Sequence, residues 1–307
     1  MTISIGTRSS PLALWQANAV LNKLAAQQQQ CEIITIESTG DLNLTTPIYD
    51  LGISGVFTKE LDAAILQNKV TIAVHSLKDV PTQLAEGLIL AAVLERGSYS
   101  DVLILKENVD FDKNETINIA TSSIRRKTQW LMYYPTHNTV PIRGNVQTRL
   151  QKFNANHEMH GIIFAKAGLE RVNMLPHNAI ELNWMLPAPA QGVIGIVCKS
   201  SDTETINILK TINHKNTYIA ATIERSFMRN LIAGCSVPVS AHATINNNDI
   251  QFKGAIHAIN GSKHNFIEMQ FNIAEWETAG SIAANTILKQ QGARELLNEI
   301  RNNHLCE

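Results

Sequence analysis

Along most of the chain, short apolar runs of β-prone residues alternate with stretches whose apolar positions repeat at helical spacing. The pattern predicts strands at Ile3 to Ile5, Ile33 to Ile36 and Val70 to Val74, with helices over Pro11 to Leu24 and Val56 to Leu66 between them. After a pause at Glu95-Arg-Gly-Ser-Tyr-Ser100 the rhythm resumes. Strands are predicted at Val102 to Leu105, Ile117 to Ala120, Val140 to Ile142 and Gly161 to Phe164, with helices starting at Ile124 and Val146. Such alternation builds βα units on largely parallel sheets, so two α/β units follow one another. The Pro-rich segment Leu186-Pro-Ala-Pro-Ala190 precedes the apolar run Val193 to Val197, which can return the chain to the first sheet. Two crossings between two lobes give a hinged cleft.

Past a helix at Ala220 to Leu231 the period drops to two. Strands are predicted at Ile250 to Ile259 and Phe266 to Ile273, with turn signals at Asn246-Asn-Asn-Asp249 and Asn260-Gly261. Helices from about Thr278 and from Ala293 complete a small α+β unit.

Composition narrows the class. A chain of 307 residues with 44% hydrophobic and 17% charged residues is ordinary globular protein, which excludes disordered and fibrous classes. The net charge of -1 provides no whole-molecule field for nucleic acid or an anionic membrane, so anion binding has to be local. The first residues carry no basic and apolar leader, and the longest apolar run, Leu88 to Leu94, is too short to span a bilayer. Neither export nor a membrane span is expected. Cys31, Cys198, Cys235 and Cys306 are scattered and form no C-x-x-C pair, so reduced thiols in the cytoplasm are expected rather than a disulfide framework or a zinc site.

Five of the eleven arginines share one kind of position, after an apolar strand and at the start of a helix. Arg8 lies in G-T-R-S-S-P, where Ser10 can cap and Pro11 suits the first helical position. Arg125 and Arg126 follow Thr121-Ser-Ser123, and Arg143 and Arg149 bracket R-G-N-V-Q-T-R. A cation in a first helical turn forgoes or opposes roughly 0.3–1 kcal/mol. Free backbone N–H groups and guanidinium forks at the carboxyl ends of strands make carboxylate or phosphate sites, and as a set these arginines point to a polyanionic ligand. Singly, each also fits a solvated charge or a structural ion pair.

Asp79 follows a strand in V-H-S-L-K-D-V-P, beside Lys78. An aspartate there commonly shapes a turn. Among cations gathered for an anion, however, a carboxylate repels the ligand unless the chemistry develops positive charge, which makes Asp79 the catalytic candidate. Cys235, in A-G-C-S-V-P, sits in a glycine-flanked loop that can expose its sulfur, although a packed small residue is the alternative; Cys198 ends an apolar run and reads as core.

Six segments together resemble the hydroxymethylbilane synthase (porphobilinogen deaminase) family: T-R-S-S-P-L-A-L-W-Q-A from Thr7, F-T-K-E-L from Phe57, A-V-H-S-L-K-D-V-P from Ala73, T-S-S-I-R-R from Thr121, R-G-N-V-Q-T-R-L from Arg143, and G-C-S-V-P from Gly234. They run in the family's order across nearly the whole chain. The resemblance implies an α/β fold of two periplasmic-binding-protein-like (type II) domains around a cleft plus a small α+β C-terminal domain. The expected domains span 1–95 with 191–213, 98–189, and 217–307. It implies a dipyrromethane cofactor held by thioether to Cys235, Asp79 as the catalytic carboxylate, and Ser76, Lys78, Thr121, Ser123, Arg125, Arg126 and Gln191 around the cofactor. Arg8, Ser10, Lys59, Arg143, Arg149 and Arg171 are implied for substrate. The implied activity is a transferase of heme biosynthesis, working as a cytoplasmic monomer with no nucleic-acid, membrane or metal partner. It joins four porphobilinogen molecules head-to-tail, with loss of ammonia, into hydroxymethylbilane.

Some positions depart from the family pattern. Ser54 stands where lysine is common, Ala190 replaces a glycine before Gln191-Gly192, and Ile232-Ala233 replaces Glu-Gly before Gly234-Cys235. A non-catalytic anion receptor and a phosphoryl-transfer enzyme are the rival readings. Against the first stand Cys235 and the third unit; against the second stands the lack of G-x-x-x-x-G-K-[ST] or G-x-G-x-x-G. His157-Glu-Met-His160 is not H-E-x-x-H, which disfavours a metal enzyme.

Overall fold

Helix α1 (Pro11–Ala25) begins where its sequence signals: Pro11 takes the first helical position and the Ser10 hydroxyl accepts the Ala13 N–H at 3.3 Å. In the computed structural model, which describes residues 2–37, 58–107, 109, 116–231 and 238–303, this helix covers one face of a five-stranded sheet. That sheet contains β1 (Ile3–Thr7), β2 (Cys31–Thr35), β3 (Ile72–Ser76), β4 (Leu88–Val93) and β10 (Ile194–Lys199), in the order β2-β1-β3-β10-β4. A second sheet contains β5 (Asp101–Leu105), β6 (Asn118–Ala120), β7 (Asn138–Val140), β8 (Gly161–Ala165) and β9 (Ile180–Glu181), in the order β7-β6-β8-β5-β9.

Both sheets have the same architecture. The fourth strand in each order, β10 or β5, runs antiparallel to both neighbours, while the remaining pairs are parallel. Each reversed strand is the first that the chain lays down after arriving from the other sheet. This is the two-lobed, strand-exchanging arrangement of the type II fold, and the return of the chain through β10 matches the expectation for Val193 to Val197.

The apolar periodicity explains the packing. Ala17, Val20 and Leu24 of α1 fall on one helical face and bury against Ile3, Ile5, Ile72 and Ile196. On the opposite face, α2 (Lys59–Leu66) buries Leu61 and Ile65 against Ala73 and Val197. In the second lobe α3 (Ile124–Tyr133) buries Trp130 against Leu103, Ile119 and Ile163, and α4 (Val146–Ala155) buries Phe153 against Val102 and Ile162. Each fully buried side chain of this size stabilises the fold by roughly 1.5–3 kcal/mol. A short α5 (Lys166–Arg171) follows β8, and α6 (Thr203–Lys210) follows β10.

The chain then enters α7 (Lys215–Asn230) and a three-stranded antiparallel meander of β11 (Val239–Asn246), β12 (Asp249–His257) and β13 (His264–Asn272). Helices α8 (Trp276–Ile287) and α9 (Ala293–Asn303) complete this unit around Phe227, Phe252 and Ile256. Most strand boundaries differ by one or two residues from those predicted, and two differences have a visible cause. The strand expected to end at Ile142 ends at Val140, because Pro141 has no N–H for the ladder. Helix α7 starts at Lys215 rather than Ala220, capped by His214, whose ring accepts the Thr217 N–H at 3.3 Å.

The two crossings run side by side between the lobes. Leu94 donates its N–H to Ile194 O at 3.1 Å and Gly97 donates to Gly192 O at 3.1 Å. Gly192 has φ 82°, and a Cβ there would lie 2.6 Å from Ser98 O, so only glycine lets the strands approach this closely. Ala190 adopts φ 61°, a left-handed conformation that costs an alanine about 1–2 kcal/mol. Its N–H is held at 2.6 Å by the fully buried Glu224 of α7. The same carboxylate accepts both Nη groups of Arg96, at 2.8 and 2.7 Å, and the Ala243 N–H at 2.7 Å. One buried anion therefore joins the first crossing, the second crossing and the third sheet.

Candidate active site

At the carboxyl end of β3 the chain tightens into a 3-10 turn, Leu77–Asp79, which Val80 and Pro81 end. Leu77 and Val80 point into the core, at 0% and 1% exposure, so the turn presents Asp79 to solvent and leaves Lys78 half-buried. Lys78 Nζ donates to Gln191 Oε1 at 3.4 Å. Gln191, on the second crossing, in turn donates to Tyr99 O at 2.8 Å and to Asp101 Oδ1 at 3.0 Å.

Asp101 opens β5 and is fully buried. Its Oδ2 accepts Arg125 Nη2 at 2.7 Å, and its Oδ1 accepts Arg126 Nη2 at 2.9 Å and Nε at 3.1 Å. Arg125 Nη1 also donates to Leu186 O, and Arg126 Nη1 to Ile163 O. These two arginines sit at the start of α3 as expected, and each makes the ion pair that the plainer reading of a helix-start arginine describes. Ser123 caps the helix by accepting the Arg126 N–H at 3.4 Å, and the buried Thr121 hydroxyl accepts the Ser123 N–H at 3.2 Å. Asp101 carried no motif-level signal; only an acid opening the apolar run D-V-L-I-L marks it.

The electrostatics extend the cluster across the cleft. Burial pushes the Lys78 ammonium down to about 8, with Arg126 and Arg125 adding to the effect and Asp79 and Asp101 opposing it. Burial alone would raise the Asp101 carboxyl, but Arg125, Arg126 and Lys78 together hold it at about 2. Arg149, on α4, falls to about 10 through burial and then through Arg126 and Arg143, with Asp79 opposing. Asp79 on the first lobe thus feels Arg149 on the second.

Five interacting cations, Lys78, Arg125, Arg126, Arg143 and Arg149, surround two carboxylates, Asp79 and Asp101. Much of this cluster is buried, and Arg125 Nε has no hydrogen-bond partner among the described residues. A group bearing several carboxylates fits this donor set.

Other expected site residues lie around this cluster. Arg8 follows β1 and, after burial, is the second cause that pushes His75 of β3 down to about 4, leaving a neutral, buried imidazole. Ser76 ends β3 and accepts Gln16 Nε2 at 2.7 Å, while Ser10 caps α1. Arg171, at the end of α5, is held at 2.6 Å by Gly192 O and lies 5.5 Å over the Trp15 ring of α1. It bridges the lobes rather than joining the cation cluster. Lys59 opens α2 on the exposed side, with no described contact to the cluster. Cys235, Ser54, Ile232 and Ala233 lie outside the described residues. Among the described residues no group of His, Cys, Asp or Glu is placed to hold a metal ion, and no helix is long and apolar enough to cross a membrane.

Fold and site define a two-lobed α/β protein with a third, antiparallel unit and cations of both lobes gathered around Asp79 and Asp101. The family model described as porphobilinogen deaminase, dipyromethane cofactor binding domain, matches residues 3–207, and that of the porphobilinogen deaminase C-terminal domain matches 218–289. The chain belongs to the porphobilinogen deaminase family. It is 42% identical to the probable porphobilinogen deaminase of Methanocaldococcus jannaschii over 94% of this chain and 99% of that one. It is 38% identical to the Chlorobium phaeovibrioides porphobilinogen deaminase over 97% of each chain, and 41% identical to the chloroplastic enzyme of Oryza sativa over 85% of this chain and 75% of that one. Among solved structures the methionine-binding protein MetQ aligns with a TM-score of 0.44 at 10% identity, covering 71% of this chain and 92% of that one.

Proposed function

We infer that this chain is a hydroxymethylbilane synthase, a transferase that deaminates porphobilinogen and joins four molecules head-to-tail into the linear tetrapyrrole. The observation that carries this reading is the cluster of Lys78, Arg125, Arg126 and Arg149 around Asp79 and Asp101 in a chain of this family. The three domains are taken as 1–95 with 191–213, 98–189, and 217–307, and the working location as the cytoplasm.

The cofactor site is assigned to Cys235 for attachment, with Lys78, Ser76, Thr121, Ser123, Arg125, Arg126 and Gln191 holding the acidic side chains. Bound there, a dipyrromethane supplies the primer to which pyrrole units are added. The chain's own groups do the rest. Lys78, Arg149 and Arg143 neutralise carboxylates that would otherwise repel one another in the cleft, and Arg8, Ser10, Lys59 and Arg171 extend that role toward incoming substrate. Asp79, exposed at the strand end, places its carboxylate where loss of ammonia leaves positive charge on a pyrrole. Its oxygens can accept the proton that leaves the ring carbon after bond formation.

The test is intact mass of protein made in cells that synthesise porphobilinogen. An adduct of two porphobilinogen-derived units is expected, absent in Cys235→Ser and retained in Cys31→Ser and Cys198→Ser. A wild-type mass equal to the bare chain would refute the attachment.

A further inference from the structure

The turn that carries Asp79 is held from beneath by one side chain of the third unit. Arg225 of α7 donates Nη1 to Leu77 O at 3.2 Å and to Val80 O at 2.8 Å, and Nη2 to Pro81 O at 2.6 Å. Those carbonyls flank Lys78 and Asp79 on both sides. Leu77 donates its own N–H to Val193 O at 2.9 Å, so the turn is fixed at its entry as well. Four residues earlier on the same helical face, Ala221 packs with Leu77, Val80 and Val193. The turn's apolar side chains and its carbonyls therefore rest on α7, while its acidic side chain is exposed. Buried carbonyls with a charged, planar donor cannot drift without leaving that donor unpaired.

We propose that Arg225 is a positioning residue for the reaction, setting the place of the Asp79 carboxylate in the cleft through the backbone of residues 77–81. The assignment rests on the reading of Asp79 given above. It makes α7 the part that fixes the first lobe's carboxylate relative to the third unit, where Cys235 follows the helix in sequence.

The test is a double-mutant cycle on full-length, cofactor-bearing protein, using Arg225→Lys and Arg225→Gln, each alone and combined with Asp79→Asn. Lysine keeps the charge but cannot reach three carbonyls in one plane. A displacement on the order of 1 Å at a reacting group can cost about 10²-fold in rate. The expected result is a fall in kcat of about 10- to 100-fold in Arg225→Lys, with KM within about threefold of wild type and the adduct mass retained. In the Asp79→Asn background the same substitution should cost less than about twofold further, since the group it positions has already lost its charge. Wild-type kcat in both Arg225 variants, or losses that multiply with that of Asp79→Asn, would overturn the assignment. So would absence of a native unfolding transition in both variants, which would make Arg225 a folding residue only. Asp79→Asn with turnover near wild type would instead sink the reading of Asp79 itself, whatever the Arg225 variants do.

Discussion

Replacing Asp101 by asparagine removes the one fully buried charge that both Arg125 and Arg126 share, at almost no change in shape. In the folded protein four donor contacts of 2.7 to 3.1 Å converge on that carboxylate, three from the two guanidinium groups and one from Gln191. Its pKa stands at about 2 against an ordinary 3.8, so folding favours the ionised form by about 2–3 kcal/mol. Breaking a buried ion pair by removing one partner costs about 3–5 kcal/mol. Asp101→Asn is therefore expected to lose about 2–5 kcal/mol at pH 7. Because the folded pKa is depressed, the contribution is complete above about pH 4 and is lost as pH falls through about 2. Urea unfolding followed by tryptophan fluorescence measures it, since Trp130 and Trp184 both pack in the second lobe's core. The same substitution should lower Lys78 further, because Asp101 is one of the groups supporting its charge, and the fraction of protein carrying the adduct should fall. Stability within about 0.5 kcal/mol of wild type would refute the account of Asp101 as the anion that makes this cluster tolerable.

Two further outcomes follow from the same structure. Glu224→Gln should cost about 3–5 kcal/mol in urea unfolding, and adding Arg96→Met to it should cost less than Arg96→Met costs alone; purely additive losses would remove the coupling between the crossings. In cofactor-free protein, with Cys235→Ser, the unfolded state binds the Lys78 proton between pH 8 and 10.5 while the folded state has lost it. Stability relative to the same protein carrying Lys78→Met should then rise by up to about 3 kcal/mol across that interval, and a flat difference would refute the burial of Lys78.

The sequence revealed the elements whose signals are local. Ser10-Pro11, Thr121-Ser-Ser123 and the apolar spacing of α1 each determine their structure within a few residues, and the structure agrees with them. Strands β4 and β11 carry no such local signal. Leu88–Val93 is a continuous apolar run whose state depends on β10 beside it, and Val239–Asn246 carries small residues where larger apolar ones would mark a buried face. The arginines were legible because strand-end cations contradict the helix dipole. Asp101, Glu224 and Arg225 were not, because their meaning lies in partners far along the chain: Asp101 acts on α3, Glu224 on both crossings, and Arg225 on the turn after β3. A buried charge is ordinary in sequence and expensive in structure, so its function appears only when its partners are known.

The third unit is bound to both lobes, but by unequal chemistry. Toward the first lobe it holds three carbonyls through one buried guanidinium, and it grips Arg96 of the first crossing through Glu224. Toward the second it offers a neutral amide contact, Gln129 Nε2 to Ser240 Oγ at 3.1 Å, and the close seat of the Asn260–Gly261 turn, where a Cβ on Gly261 would lie 2.8 Å from Thr128 O. Charged hydrogen bonds contribute about 1.5–3 kcal/mol each and neutral ones about 0.5–1.5. The turn bearing Lys78 and Asp79 is therefore tied to α7 by a charged donor, whereas Arg125, Arg126, Arg143 and Arg149 stand on a lobe that the third unit meets through neutral contacts, the Ala241 N–H to Pro187 O at 3.1 Å among them. The carboxylate exposed at the strand end and the arginines facing it thus rest on differently bonded supports.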